Sequence, residues 1–129
     1  MATYLDSSAI VKLAIRESES LALRRYLRTR RPLVCSALAR TEVLRALLPG
    51  GQHAVDRGRD VLRRLELVRV NDRILNAAGL LLPFELRSLD AIHLATAQQL
   101  GDDLKVLVTY DDRMAAVARQ LGFRIVQPR

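Results

Sequence analysis

The feature that most constrains this chain is a repeated alternation in which short apolar runs end at polar residues able to cap a helix, and stretches of helical periodicity follow. Thr3-Tyr4-Leu5 stops at Asp6-Ser7-Ser8, and helices are predicted over Ala9 to Arg16 and Ser20 to Thr29. Pro32-Leu33-Val34-Cys35 closes at Ser36, a cap for a helix over Ala37 to Leu48. Pro49-Gly50-Gly51 breaks that helix, and a very basic one follows from Ala54 to Leu65. Leu67 to Val70 reads as a third strand, and Asn71 or Asp72 caps a helix through Leu82. The connection Pro83 to Arg87 leads to Ser88 and a helix over Leu89 to Leu100. Gly101-Asp102-Asp103 then turns the chain into a strand over Lys105 to Thr109, a helix over Asp111 to Leu121, and an edge strand over Phe123 to Val126.

Short strands that are apolar on both sides and separated by helices form a parallel sheet covered on both faces. The expected fold is therefore α/β, with three layers around a central, mainly parallel five-stranded sheet, in a single domain over residues 1–129. The alternation does not determine the order of the strands.

Composition narrows the setting. Cys35 is the only cysteine, so no intramolecular disulfide can form, and a cysteine-based zinc site would lack ligands; a reducing cytoplasm is expected. The longest apolar stretch, Ala77 to Phe84, is far short of the roughly 20 residues that span a bilayer, and the N-terminus meets Asp6 before any signal-like apolar segment develops. Neither a membrane span nor a secretion signal is expected. The net charge is +7, and 19 of the 21 basic residues are arginines. That field favours polyanions such as nucleic acid, or an acidic protein partner, although a solvated arginine-rich surface has the same composition.

Open parallel sheets place their sites beyond the carboxyl ends of the strands, so the polar residues at strand-to-helix junctions carry the most information. Asp6 follows the first strand, and Asp111, with Asp112 beside it, follows Val108-Thr109-Tyr110. Glu42 sits on the helical line Leu38, Glu42, Ala46, whose other members are apolar or small, and is expected to face inward and to need a partner. Asp90 lies in the first turn of an almost wholly apolar helix. Each acid also has a purely structural use: Asp6 as a cap, Asp90 and Asp111 as favourable charges at helix N-termini, Glu42 as the partner of an arginine. Gathered together, the four repel by about 4 kcal/mol per pair at about 4 Å and an effective dielectric of about 20, so a cluster requires protons or cations. A hard divalent ion, Mg²⁺ or Mn²⁺, suits oxygen ligands of this kind.

The segments Tyr4-Leu5-Asp6-Ser7-Ser8, Ser36-Ala37-Leu38-Ala39-Arg40-Thr41-Glu42, Leu89-Asp90-Ala91-Ile92-His93-Leu94-Ala95-Thr96-Ala97 and Val108-Thr109-Tyr110-Asp111, in this order, resemble PIN-domain nucleases. More narrowly, they resemble the VapC toxins of toxin–antitoxin pairs, and the likeness runs from Thr3 to Val126. The resemblance implies a PIN-like fold and a metal-dependent ribonuclease that leaves a 5′-phosphate and a 3′-hydroxyl. It makes Asp6, Glu42, Asp90 and Asp111 the catalytic, metal-holding acids, with Asp6 and Asp90 as direct ligands and Thr109 as a supporting hydroxyl. Asp112 is an addition to the family's fourth motif, and the Thr109-x-Asp111 spacing favours Asp111. A homodimer and a cognate antitoxin are the implied partners, beside RNA.

Other residues are quieter. His93 is read as packing or as a hydrogen-bonding group in an apolar helix, His53 as a loop residue and Cys35 as strand core. Arg24, Arg25, Arg28, Arg30 and Arg31 form one basic patch, and Arg57, Arg59, Arg63 and Arg64 another; each arginine alone reads as a solvated helix face. The segment Leu80 to Phe84 and the Leu44, Leu47, Leu48 face are assigned to the core, with a homodimer contact or an antitoxin groove as the other uses. Aromatic residues make up only 4% of the chain, which argues against extensive base stacking. A receiver-type domain would need a phospho-acceptor aspartate ending the third strand, where Val70-Asn71 stands, and a haloacid-dehalogenase-like phosphatase would need Asp-x-Asp where Asp6-Ser7-Ser8 stands. The remaining alternative is a catalytically inactive PIN-like RNA-binding or scaffold domain.

Overall fold

The computed structural model describes residues 1–129. In chain order its elements are β1 (Ala2–Leu5), α1 (Ser7–Ala14), α2 (Ser20–Leu27), β2 (Leu33–Ser36), α3 (Ala39–Leu47), α4 (Gly51–Arg63), β3 (Glu66–Val68), α5 (Asp72–Gly79), α6 (Ser88–Leu100), β4 (Leu104–Val108), α7 (Asp112–Gln120) and β5 (Ile125–Val126). The five strands form one sheet in the order β3-β2-β1-β4-β5. Every pairing is parallel, so the sheet is wholly rather than mainly parallel.

β1 is central and buried along its whole length, as are all four residues of β2. The chain moves from β1 outward through β2 to β3, then returns across the sheet to β4 and continues to β5. With right-handed crossovers, α1 to α4 cover one face and α5 to α7 the other. The packing agrees: α1 contacts α2, α3 and α4, whereas α5 and α6 pair with each other and α6 lies on β2 and β4. The direction of winding reverses between β1 and β4, and beyond the carboxyl ends of strands at such a switch point the flanking loops part to leave a crevice. Asp6 stands at one lip of it and Thr109 at the other.

Several expected boundaries shift for local reasons. Asp6 caps α1 by accepting from the Ala9 amide, so that helix starts at Ser7 rather than Ala9. Ser36 does not cap α3: its hydroxyl accepts from the Leu38 amide in the preceding turn, and α3 starts at Ala39. A 3₁₀ turn over Leu48–Gly50 lets α4 begin at Gly51, which places His53 in a helix, not a loop. Asn71 does cap α5, but that helix ends at Gly79, short of Leu82. Beyond it Leu80, Leu82 and Phe84 are exposed, at 85%, 60% and 90%, so their assignment to the core is wrong; only Leu81 and Leu86 turn inward from that connection. Leu47 is core as expected, while Leu48 is exposed. No helix is long and apolar enough to cross a membrane.

Candidate active site

Three hydrogen bonds join the ends of β1 and β4, and a fourth closes the Asp6–Ser8 turn beside them. The Asp6 amide donates to the Val108 carbonyl at 3.1 Å, continuing the parallel pairing by one residue. The Thr109 hydroxyl donates a short bond to Asp6 Oδ2, and the Ser8 hydroxyl donates to Asp6 Oδ1 at 2.6 Å. The Ser8 oxygen in turn accepts from the Tyr110 amide at 3.0 Å, which locks the first turn of α1 to the end of β4. With the Ala9 amide also on Oδ1 at 3.0 Å, this buried carboxylate is held by three donors. Burial pushes its pKa up, opposed by the Ser8, Thr109 and Ala9 hydrogen bonds and by the charge of His93.

Glu42 reaches the same rim from α3. It is half-buried and Ala46 one turn later is exposed, so its helical line skirts the crevice instead of entering the core. Its Oε1 accepts from the Ser7 hydroxyl and lies against His93 Nε2, each at 2.6 Å. Burial alone would raise its pKa, but the hydrogen bonds from His93 and Ser7 and the charge of His93 outweigh it and leave it lowered. The arginine partner considered from sequence is thus replaced by a histidine. His93 is only 2% exposed, and its Nδ1 meets the Tyr4 hydroxyl at 2.7 Å. The Tyr4 oxygen accepts from the Ser36 amide at 3.1 Å, so with a neutral ring its proton points at Nδ1 and the ring proton sits on Nε2, facing Glu42; protonation of the ring adds the positive charge felt by Glu42, Asp6 and Asp90.

Asp111 caps α7, its Oδ1 accepting from the Arg113 and Met114 amides at 3.0 and 3.2 Å, while its own amide donates to the Thr109 hydroxyl at 3.1 Å. Asp112 is exposed and accepts from Gln127 Nε2 at 3.2 Å, turned toward the C-terminal segment. Asp111 is the one that acts on the site: its charge is the second-largest influence on Asp90, after burial. Asp6 and Glu42 push the Asp90 pKa up as well, against His93. Asp90 therefore stands in the combined field of the other three acids. Its half-buried carboxylate takes no hydrogen bond from the protein, unlike those of Asp6, Glu42 and Asp111.

All four acids predicted from sequence thus share one electrostatic site. No three acid, histidine or cysteine side chains converge closely enough to enclose an ion as they stand, so this is a charged cluster, not a finished coordination shell. Its donor set nonetheless fits a hard divalent cation: every candidate ligand is a carboxylate oxygen, Asp90 keeps its oxygens free, and two of the four acids have pKa values raised by burial, Asp90 also by its neighbours' charges. Sequence reading missed the roles of Tyr4, Ser7 and Ser8. A tyrosine inside a buried strand signals an obligatory hydroxyl partner, and a serine two residues after a strand-ending aspartate signals a local turn bond. Ser7 carried no such signal, since its partner lies 35 residues away.

A family model described as PIN domain matches residues 3–120. The chain belongs to the PIN-domain family. Among PIN-domain relatives it is 65% identical over 127 residues to Ribonuclease VapC46 of Mycobacterium tuberculosis (strain ATCC 25618 / H37Rv), with 98% of each chain covered. It is 42% identical over 132 residues to Ribonuclease VapC35 of the same strain, covering 97% of this chain and 96% of that protein. In fold it is similar to the crystal structure of the M. tuberculosis toxin VapC20, with a TM-score of 0.76 at 18% identity, covering 98% of this chain and 99% of that one. A toxin–antitoxin complex from Klebsiella pneumoniae contains a chain of similar fold, with a TM-score of 0.73 at 22% identity and 98% of each chain covered. The three-layer PIN fold expected from the motifs is thus the one observed.

Proposed function

We infer that this PIN-domain protein is a ribonuclease of the VapC toxin type, working as a single domain that hydrolyses RNA phosphodiester bonds with the help of Mg²⁺ or Mn²⁺. The observation that carries this reading is the free Asp90 carboxylate, standing in the field of Asp6, Glu42 and Asp111 at the switch point of the sheet. The 65% identity to Ribonuclease VapC46 over nearly the full chain supports RNA as the substrate.

In this reading Asp6 and Asp90 hold the metal, with Glu42 and Asp111 completing its surroundings. Ser8, Thr109 and the Ala9 amide fix the Asp6 carboxylate in one orientation, so ligand geometry is set before substrate arrives. Ser7 and His93 do the same for Glu42, and their donation keeps it ionised, ready to orient a water molecule or accept its proton. A divalent ion, when bound, supplies charge neutralisation on the phosphate and leaving oxygen and makes water a better nucleophile. Exposed arginines supply the field that draws the RNA backbone in. The +7 charge also suits an acidic cognate antitoxin that holds the enzyme inactive, and a homodimer is the assembly proposed for the free toxin. A cytoplasmic location fits this role.

The test is cleavage of a pool of structured RNAs by purified protein in Mg²⁺, Mn²⁺ or EDTA, beside the Asp90→Asn variant. Cutting that needs the metal and disappears in the variant is the expected result. Absence of cutting by folded, antitoxin-free protein under every condition would favour an inactive RNA-binding domain instead.

A further inference from the structure

On the rim opposite the acids, the two arginine patches that are far apart in sequence meet across one cavity of about 490 Å³. Arg24, Arg28 and Arg31 come from α2 and the turn after it, and Arg64 comes from the end of α4. The floor is apolar, formed by the buried side chains of Leu27, Val61 and Leu65. Leu33, which opens β2, also lines it, so the cavity lies at the amino ends of the strands.

All four arginines are exposed, and none forms an ion pair with a carboxylate; the acids of α4 are engaged elsewhere, Asp56 by Arg59 and Asp60 by Arg63. Arg24 donates to the Leu13 carbonyl at 3.2 Å, which anchors one guanidinium at the end of α1 and leaves its other donors free. Four unneutralised guanidiniums around one opening repel each other, and the arrangement is stabilised by whatever anion enters. Guanidinium forks match phosphate oxygens in pairs, and an apolar floor between them accepts the flat, less polar part of a nucleotide.

We propose that this cavity is a second RNA-binding site, which grips phosphates away from the bond being cut. The identity of the ligand rests on the ribonuclease reading above; the existence of an anion site does not. Asp6 caps the start of α1 and Leu13 near its end lines the cavity, so the two sites are separated by the length of this eight-residue helix, about 12 Å. An RNA touching both must extend beyond the scissile bond, whereas a very short oligonucleotide reaches only the acids. The site therefore strengthens binding of long substrates and leaves the chemistry on short ones alone.

The experiment compares wild type with Arg28→Gln/Arg31→Gln/Arg64→Gln, sparing the anchored Arg24. Binding of a 30-nucleotide single-stranded RNA is measured by anisotropy in EDTA across a salt series, with poly-glutamate as a second probe. The expected result is at least ~10-fold weaker RNA binding and a salt slope reduced by about 2, at about 0.7 per lost phosphate contact. Metal-dependent cleavage of a dinucleotide, whose single phosphate cannot occupy both sites, should be unchanged. Equal RNA affinity and slope in the two proteins would overturn the proposal, and so would poly-glutamate binding that is as tight as RNA binding and as sensitive to the substitutions, which would mark the site as one for an acidic protein. Because binding is read without metal, wild type that binds RNA through these arginines but never cuts it would refute the nuclease reading and leave the RNA site standing. A variant-free check is modification by phenylglyoxal: RNA should protect Arg28, Arg31 and Arg64 in wild type, and equal modification with and without RNA would count against the site.

Discussion

The Thr109 hydroxyl donates directly to Asp6 Oδ2 across a separation of 103 residues, joining the ends of the two strands between which the sheet reverses direction. This bond does two things at once. It satisfies an oxygen of a carboxylate that is only 4% exposed, and it fixes that carboxylate in one orientation.

Removing the donor while keeping the shape should separate these roles from packing. Thr109→Val leaves Asp6 Oδ2 and the Asp111 amide without their hydroxyl partner, at a cost of about 1–3 kcal/mol for a buried group left unsatisfied. Urea denaturation should show that loss together with reduced cleavage. Thr109→Ser restores the hydroxyl and should recover most of both. Equal stability of the valine variant and wild type would mean the bond carries no weight.

Asp90 gives a prediction about metal. Burial and the charges of Asp111, Asp6 and Glu42 all disfavour its ionised form, so the metal-free protein gains when that charge is removed. Asp90→Asn should melt at or above the temperature of metal-free wild type. Adding Mn²⁺ should stabilise wild type, by about 2.7 kcal/mol at about 100 times Kd, and leave the variant nearly unmoved. Thermal melts with and without Mn²⁺ decide it: an equal shift in both proteins would place the binding site elsewhere.

Cys35 is wholly buried in β2, and burial together with the charge of Asp6 pushes its thiol well above the ordinary range. It should be inert to a thiol reagent such as DTNB in the folded protein at neutral pH, and titrate as one thiol in guanidinium. Rapid reaction of the native protein would show that β2 opens far more readily than a core strand should.

What was legible in the sequence follows from the range of each interaction. Asp6 and Asp111 announced themselves because a carboxylate just after an apolar strand is a local pattern, and both also serve as helix caps. Asp90 was legible from the contrast with its apolar helix. Glu42 was found, but its partner was not: His93 is 51 residues away, and only the packing of α6 on β2 brings them together. The convergence of Arg64 with Arg28 and Arg31 was hidden for the same reason, since no periodicity relates α4 to α2. Strand order was likewise invisible, because each β–α step looks alike whichever way the chain winds.

The chain Ser36 amide, Tyr4 hydroxyl, His93, Glu42 yields the last prediction. The two inner members each bridge two neighbours: Tyr4 accepts from Ser36 and donates to Nδ1, and Nε2 donates to Glu42. Tyr4→Phe strands the buried Ser36 amide and His93 Nδ1 together, at about 1–3 kcal/mol for each unsatisfied group. His93→Leu strands the tyrosine hydroxyl and releases one of the two groups that fix Glu42, the other being Ser7. Both variants should lose stability, but only His93→Leu should also lower kcat strongly with little change in KM for RNA, because it alone removes a group in contact with an acid of the site. Because the residues share one network, the losses of the double variant should fall short of the sum of the singles. Additive losses in denaturation, with equal kcat in the two single variants, would show that Tyr4 and His93 only fill space.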